Sequence, residues 1–374
     1  MKKKLIVVYI TMFSAVCFSV KASAQNKETL KDALAGKFLI GTALSANQIS
    51  GKDPQIVELV QKQFSAIVPE NCMKPALLEP KQGEFTFDDA DRFTAFGEQN
   101  HLWMTGHCLV WHSQVPAWFF VDKDGNEVSR DTLIARMKNH IMTVVERYKG
   151  RIKGWDVVNE ALNDDGSYRE SKWYKIIGPD YIPLAFQFAH EADPDVELYY
   201  NDYNEWYAGK RDAIVKLVKQ LKDAGLRIDA IGMQGHIGMD YPNLDDYKAA
   251  IDAYAAAGVK VMVTELDMSA LPSPRRNVGA NVSDMEAYRN EMNPYTAGLP
   301  DSVSEAWTKR MASFFKLFID SKDKMERVTL WGVTDAVSWK NNFPMRGRTD
   351  YPLLFDRNYQ PKPVVKAIID MAKE

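Results

Sequence analysis

Two glutamates in this chain each close a short apolar run. Glu160 ends the run that begins at Trp155, and Glu265 ends the run that begins at Val261. Carboxyl groups at the ends of buried strands can act as a pair on a glycosidic bond, one protonating the leaving oxygen and the other stabilising the carbon that it leaves. A separation of about 5 to 5.5 Å supports retention and about 6.5 to 9.5 Å supports inversion, and the residues alone leave this choice open.

The residues beside the two glutamates could tune them in opposite directions. The acid must stay protonated through burial or a like charge, whereas the nucleophile must stay ionised through hydrogen-bond donors. His236 could donate to Glu265, with Asp267 orienting the imidazole. Asn159 could reach a sugar 2-hydroxyl, where a hydrogen bond strengthens as the reacting carbon gains charge. An ordinary packed histidine and a backbone-capping amide are the alternatives.

Six predicted strands end in polar or aromatic side chains. Burying so many polar groups without a ligand would cost about 1 to 3 kcal/mol each, so a binding cleft is the simpler explanation. Tryptophan faces can carry pyranose rings, and the polar groups can bond their hydroxyls. A Schiff base on Lys74 is a second possibility, but it leaves the glutamate pair unexplained. The candidate binding residues are Glu70, Asn71, Lys74, His107, Trp111, Gln114, Asn159, Gln234, His236, Trp331 and Trp339.

The sequence predicts no catalytic metal and no cofactor. His107 and His112 are five residues apart, so on a strand their side chains point to opposite faces, and the chain has no His-Glu-x-x-His motif. It also has no Gly-x-Ser-x-Gly elbow, phosphate loop or nicotinamide-binding fingerprint.

Eight short apolar runs alternate with segments of helical periodicity. Such alternation predicts an α/β fold with a parallel sheet, either doubly wound or closed. Eight units in one uninterrupted domain, without a Gly-x-Gly-x-x-Gly turn after the first run, favour a single-domain (β/α)8 TIM barrel. The runs are 38–44, 66–68, 102–110, 152–158, 198–200, 231–233, 259–263 and 328–333.

The N-terminus resembles an export signal. Three lysines precede an uncharged run from Leu5 to Val20 and the small residues that end at Ala24, which predicts a signal peptide over 1–24 and a catalytic domain over 25–374. A membrane-spanning helix would need about 20 apolar residues, and lipid attachment at Cys17 is a further alternative. We expect export to the periplasm, the cell surface or the medium.

The charge of the chain excludes several classes of partner. The net charge is −3, so we expect no nucleic-acid partner and, once the signal is removed, no membrane partner. An uncharged ligand and a monomer are expected. Cys72 and Cys108 lie at neighbouring predicted strands, and one disulfide between them is possible, although their separation is not set by the sequence.

The motifs together resemble glycoside hydrolase family 10, the retaining endo-β-1,4-xylanases. The resemblance runs from about Leu34 to Ala372. It implies that Glu160 is the acid/base, that Glu265 is the nucleophile, that the binding residues named above line the sugar subsites, and that xylan and xylo-oligosaccharides are the substrates. The matching stretches are 70–74, 106–114, 155–161, 234–236, 263–267 and 330–339.

Three departures from the family pattern limit this resemblance. Pro75 follows Lys74 where tryptophan is frequent, and Lys340 follows Trp339 where arginine is common. The segment from Ser269 to Ser304 is long, and we hypothesise that it raises one wall of the cleft and shapes tolerance of side groups. Its notable residues are Arg275, Arg276, Tyr288, Arg289 and Tyr295. A β-1,4-glucanase and a non-catalytic carbohydrate-binding barrel are the competing functions.

Overall fold

The computed structural model describes residues 28–272 and 290–374. The predicted signal peptide with its cleavage site after Ala24 lies outside the described residues. So do Arg275, Arg276, Tyr288 and Arg289 of the long segment, whereas Tyr295 lies within them.

Parallel strands close into a barrel, which confirms the predicted (β/α)8 fold. Their order around the sheet is β6-β5-β4-β3-β2-β1-β9-β8, and pairing of β6 with β8 closes the ring. The short strand β7 also pairs with β8, so β6 and β7 are two segments at one barrel position. The strands are β1 Leu39–Leu44, β2 Ala66–Pro69, β3 Trp103–Trp111, β4 Gly154–Asn159, β5 Glu197–Asp202, β6 Ala230–Met233, β7 His236–Gly238, β8 Lys260–Ser269 and β9 Met325–Leu330.

Helices surround the barrel, and several of them begin after a polar residue that caps them. Asp53 accepts hydrogen bonds from the first turn of the helix that starts at Pro54, and Ser129 caps the helix that starts at Arg130. The α-helices are Leu30–Ala33, Ala46–Ile49, Pro54–Gln63, Pro75–Leu78, Asp88–Gln99, Arg130–Arg147, Lys172–Ile177, Tyr181–Ala192, Ala208–Asp223, Leu244–Ala256, Asp301–Asp320 and Pro363–Met371. Short 3₁₀ helices are Ala117–Phe119, Asp335–Val337 and Trp339–Asn342.

The core lies between the barrel and its helices. The strands are buried on both faces, as expected for a parallel sheet covered by helices, so they read as continuous apolar runs rather than alternating ones. The helix Arg130–Arg147 buries Leu133, Met137, Ile141 and Val144, the face that its sequence periodicity predicts.

Strands β8 and β9 differ most from the apolar runs that predicted them. Strand β8 continues six residues beyond the run that ends at Val263, as far as Ser269, because its last three residues pair with β7. Its register against β9 shifts between Val263 and Leu266, which changes the direction of the backbone around Glu265. Strand β9 ends at Leu330, so Trp331 follows the strand directly.

Cys72 and Cys108 are not bonded to each other. Cys72 and Cys108 are buried free thiols. Burial, with the charge of Asp89, raises the pKa of Cys72 to about 12, so both cysteines contribute to packing rather than to redox chemistry. Within 28–272 and 290–374, no helix has the length and apolarity that a membrane crossing requires.

Candidate active site

Glu160 lies immediately after β4 with its carboxyl held from two sides. Nε1 of Trp111 donates to Oε2 at 2.9 Å, and Nε2 of Gln234 donates to Oε1 at 3.0 Å. His112 approaches Oε2 at 3.8 Å. The residue has φ of +57°, a region that non-glycine residues seldom adopt and that is found most often at functional sites. These contacts fix the plane of the carboxyl at the barrel mouth.

Glu265 is buried in β8 and accepts hydrogen bonds at both oxygens. Nδ2 of Asn201 donates to Oε1 at 2.9 Å, and Nε2 of His236 lies 3.3 Å from Oε2. Burial alone would raise the pKa of Glu265, but the hydrogen bond with His236 and the positive charges of His107, His236 and Lys74 lower it below the usual value. The carboxylate is therefore kept ionised, as a nucleophile requires.

His236 connects Glu265 to a buried aspartate. Its Nδ1 lies 3.0 Å from Oδ1 of Asp267, close enough for an ion pair although not aligned as a hydrogen bond. Burial would lower the pKa of His236, but Asp267 and the hydrogen bond with Glu265 raise it to about 9. Asp267 also accepts a hydrogen bond from Nε1 of Trp339 at 2.8 Å and lies 3.3 Å from Nζ of Lys340. Lys340 thus supplies the positive charge at the position where arginine is common.

Gln234 and Asn159 lie between the two glutamates. Besides its hydrogen bond to Glu160, Gln234 accepts a backbone hydrogen bond at 2.7 Å from the N–H of Glu265. The side-chain amide of Asn159 lies 2.9 Å from Nδ2 of Asn201. Gln234 is therefore bonded to both glutamates, and Asn159 is linked to Glu265 through Asn201.

The loop after β2 forms a polar wall of the mouth. Nζ of Lys74 donates to Oδ1 of Asn71 at 3.0 Å and lies 5.0 Å from the ring centre of Trp111. Burial raises the pKa of Glu70, although the charge of Lys74 opposes this. The wall carries amide, carboxyl and ammonium groups, which can donate and accept hydrogen bonds with hydroxyl groups of a ligand.

Aromatic rings line the floor of the mouth. His107 is buried, with Nδ1 2.8 Å from Oδ2 of Asp156, and its ring packs edge-on against Trp331 at 5.4 Å. Trp331 in turn packs in one cluster with Trp339. Gln114 is exposed at the rim, where its carbonyl accepts the N–H of Ala76 at 2.8 Å.

Sequence reasoning missed residues at the end of β5 and on the loops beside it. Asn201 follows the apolar run 198–200, so the same strand-end argument that found Glu160 would have identified it. Arg169 donates from Nε to the carbonyl of Glu160 at 2.9 Å and from Nη2 to the hydroxyl of Tyr203 at 2.6 Å, and no local pattern predicts these contacts. Glu205, buried behind Gln234, was also not identified.

No candidate metal site is present in residues 28–272 and 290–374. Those residues contain no group of three or more histidine, cysteine, aspartate or glutamate side chains that could hold an ion. The mouth holds two carboxyl groups in different surroundings, Glu265 bonded by Asn201 and His236 and Glu160 bonded by Trp111 and Gln234.

Comparison with known proteins gives consistent matches. Residues 29–371 match Glycosyl hydrolase family 10. Endo-1,4-beta-xylanase A of Xylanibacter ruminicola is 53% identical over 352 residues, covering 94% of this chain and 95% of that protein. Endo-1,4-beta-xylanase of Geobacillus stearothermophilus is 40% identical over 345 residues, covering 92% and 98%. A solved GH10 endoxylanase retrieved from a sugarcane soil metagenome is 43% identical, with a TM-score of 0.87 over 92% of this chain and 100% of its own.

Proposed function

Because the chain belongs to glycosyl hydrolase family 10, we propose that it hydrolyses internal β-1,4-xylosidic linkages with Glu265 as nucleophile and Glu160 as acid and base. It is a retaining glycoside hydrolase, an endo-1,4-β-xylanase. The observation that carries the two roles is the difference between the carboxyl environments. Glu265 is held ionised by Asn201 and protonated His236, whereas Glu160 faces an indole and an amide at the solvent side of the mouth.

The first step forms a covalent link. Glu160, protonated, gives its proton to the glycosidic oxygen while Oε2 or Oε1 of Glu265 bonds to the anomeric carbon, and the bond from that carbon to the leaving oxygen breaks. Glu265 is then an ester, so the hydrogen-bond donors of Asn201 and His236 face a neutral group instead of a carboxylate. Asn159, close to Asn201, is the proposed partner of the 2-hydroxyl as the carbon gains charge.

The second step releases the sugar. Glu160, now a carboxylate, accepts a proton from a water molecule whose oxygen bonds to the anomeric carbon, and the bond to Glu265 breaks with its electron pair returning to the carboxylate. Two inversions at one carbon give net retention. Because the ester has neutralised Glu265, the carboxylate of Glu160 faces no second negative charge when it accepts this proton.

The substrate proposal follows from the relatives and from the chemistry of the mouth. The two similar proteins described above are named as endo-1,4-β-xylanases, and the polar wall at Lys74 and the indoles at Trp331 and Trp339 suit a neutral polyol. A glucan differs from xylan by a hydroxymethyl group on each ring, so comparison of the two polymers tests this assignment. The glucanase and binding-protein alternatives are not favoured.

Proton NMR of xylan mixed with residues 25–374 tests the activity and its stereochemistry together. We expect the β-anomer of the new reducing end to appear before mutarotation. Appearance of the α-anomer first would overturn the assignment of Glu265 as nucleophile, and absence of reaction on xylan with turnover of a β-glucan would overturn the substrate. The Glu265→Ala variant is the control: it should keep xylo-oligosaccharide binding and lose nearly all turnover.

Export and a monomeric state are further parts of the proposal. The charge and apolar pattern of residues 1–24 supports removal of a signal peptide and release to the periplasm, the cell surface or the medium. N-terminal sequencing of the mature protein should begin at Gln25, and an intact Met1 would contradict export by this route. Light scattering on the eluted protein should give the mass of one chain.

A further inference from the structure

Gln234 is hydrogen-bonded to both catalytic glutamates. Its Nε2 donates to Oε1 of Glu160 at 3.0 Å, and its carbonyl accepts the backbone N–H of Glu265 at 2.7 Å. Gln234 lies in the two-residue interruption between β6 and β7, together with Gly235, whose φ is +76°. A displacement of this one residue would therefore disturb both carboxyl groups.

The backbone of Gln234 is held by a carboxyl group that lies behind the mouth. Its N–H is shared between the carbonyl of Asp202 at 2.9 Å and Oε1 of Glu205. Glu205 is fully buried, and the hydroxyl of Tyr254 donates to its carbonyl at 2.8 Å, which fixes the segment that carries it. Among the residues that the structure describes, Gln234 is the residue of the mouth to which Glu205 is hydrogen-bonded.

Within the described chain, no cationic side chain forms an ion pair with Glu205. Asp202 faces it from β5, and Tyr247 and Tyr254 face it from the helix Leu244–Ala256. Lys210 is bound to Asp202 at 3.1 Å and to Asp164 at 3.0 Å. Burial, aided by the charge of Asp202, raises the pKa of Glu205 well above its usual value.

We propose that Glu205 is a positioning residue of the active site, acting in its uncharged form. It holds the N–H of Gln234 with one carboxyl oxygen, and so keeps the Gln234 amide on Glu160 and the Gln234 carbonyl on Glu265. An uncharged acid is suited to this place because an ionised carboxylate beside Asp202 would be buried next to a like charge. This inference rests on the proposed function of Glu160 and Glu265, and Glu205 itself does not touch the substrate.

Two substitutions at Glu205 separate this role from simple packing. Glu205→Gln keeps an uncharged acceptor for the N–H of Gln234, and we expect kcat on xylohexaose within about threefold of the wild type. Glu205→Met keeps the length and removes the acceptor, and we expect kcat to fall at least about tenfold, since small misplacements of catalytic groups cost up to about 10²-fold. A tenfold loss in Glu205→Gln would overturn the uncharged role.

A double-mutant cycle with Gln234→Ala tests whether Glu205 acts through the Gln234 side chain. We expect Glu205→Met to reduce kcat by a clearly smaller factor in the Gln234→Ala background than in the wild type, because part of its effect has already been removed. Equal factors in both backgrounds would overturn action of Glu205 through the Gln234 side chain. Should Glu205→Met fail to fold, Glu205→Gln and Glu205→Leu in the same cycle decide the question.

A crystal structure of Glu205→Met gives a readout that does not depend on activity. We expect Nε2 of Gln234 to move out of hydrogen-bond distance of Glu160. An unmoved Gln234 would overturn the positioning role. If Gln234 moves but the wild-type protein does not cleave xylan, the proposed function is overturned and the positioning role stands.

Discussion

The amide of Asn201 is held in the orientation that points its N–H at Glu265. Nδ2 donates to Oε1 of Glu265 at 2.9 Å, while the hydroxyl of Thr264 donates to Oδ1 of Asn201 at 2.6 Å. Both Asn201 and Glu265 are buried, so water cannot replace a lost donor easily. Glu265 therefore has a preorganised donor on each oxygen, one from Asn201 and one from His236.

Removal of that donor should slow catalysis strongly. For Asn201→Ala we expect kcat to fall by about 10²-fold, as for loss of one preorganised donor at a catalytic oxyanion. The measurement is kcat on xylohexaose, with thermal unfolding to establish that the variant is folded. Asn358→Ala, an exposed asparagine in the turn before the last helix, is the matched control and should be unchanged. A folded Asn201→Ala with wild-type kcat would rule out this role.

Loss of Glu160 should depend on the leaving group. In Glu160→Ala we expect cleavage of a xylo-oligosaccharide to fall by about 10²- to 10⁴-fold, the range for general acid catalysis. Formation of the covalent link from a dinitrophenyl xyloside should fall much less, because that leaving group needs no proton, and azide should accelerate its release. The exposed Glu170 on the following loop gives the control Glu170→Ala. Equal losses for good and poor leaving groups would contradict the acid role.

Lys74 should affect both binding and the acidic limb of the pH profile. Its charge is one of the influences that lower the pKa of Glu265. In Lys74→Met that contribution disappears, so the pKa of Glu265 rises and the acidic limb of kcat/KM moves to higher pH, while KM increases through loss of a hydroxyl partner. Lys81→Met, at an exposed lysine paired with Glu84, should leave both quantities unchanged. An unshifted acidic limb in Lys74→Met would show that Lys74 does not act on Glu265.

His236 should make folding stability depend on pH above neutrality. Its pKa is raised to about 9 in the folded protein, through Asp267 and Glu265 and against the effect of burial. Because the pKa of His236 is raised on folding, its protonation stabilises the folded protein fully below the unfolded-state pKa of about 6.5. This stabilisation, at most about 3 kcal/mol, is lost as the pH rises through about 9. We expect the difference in unfolding free energy between wild type and His236→Gln, from urea titrations, to shrink between pH 6.5 and pH 10. A constant difference would show that His236 is not protonated in the folded state.

The fold was predictable because a parallel barrel covered by helices leaves a strong local pattern. Buried strands read as apolar runs, and the residue that ends a run lies at the barrel mouth, so Glu160 and Glu265 could be identified without coordinates. Boundaries were less exact: β8 continues to Ser269 through buried polar residues, which no apolar pattern predicts. The open choice about Cys72 and Cys108 was also resolved only by the structure, in which both thiols are free.

The sequence by itself determined the number of barrel strands, the positions of the two glutamates and the types of residue beside them, because these follow from local periodicity and strand ends. Only the tertiary structure decided which of those residues meet. Asn201 reaches Glu265 across 64 positions, and Gln234 reaches Glu160 across 74, because barrel closure and the interruption between β6 and β7 bring distant strand ends together. Such contacts depend on register and closure, which are properties of the whole chain rather than of any segment.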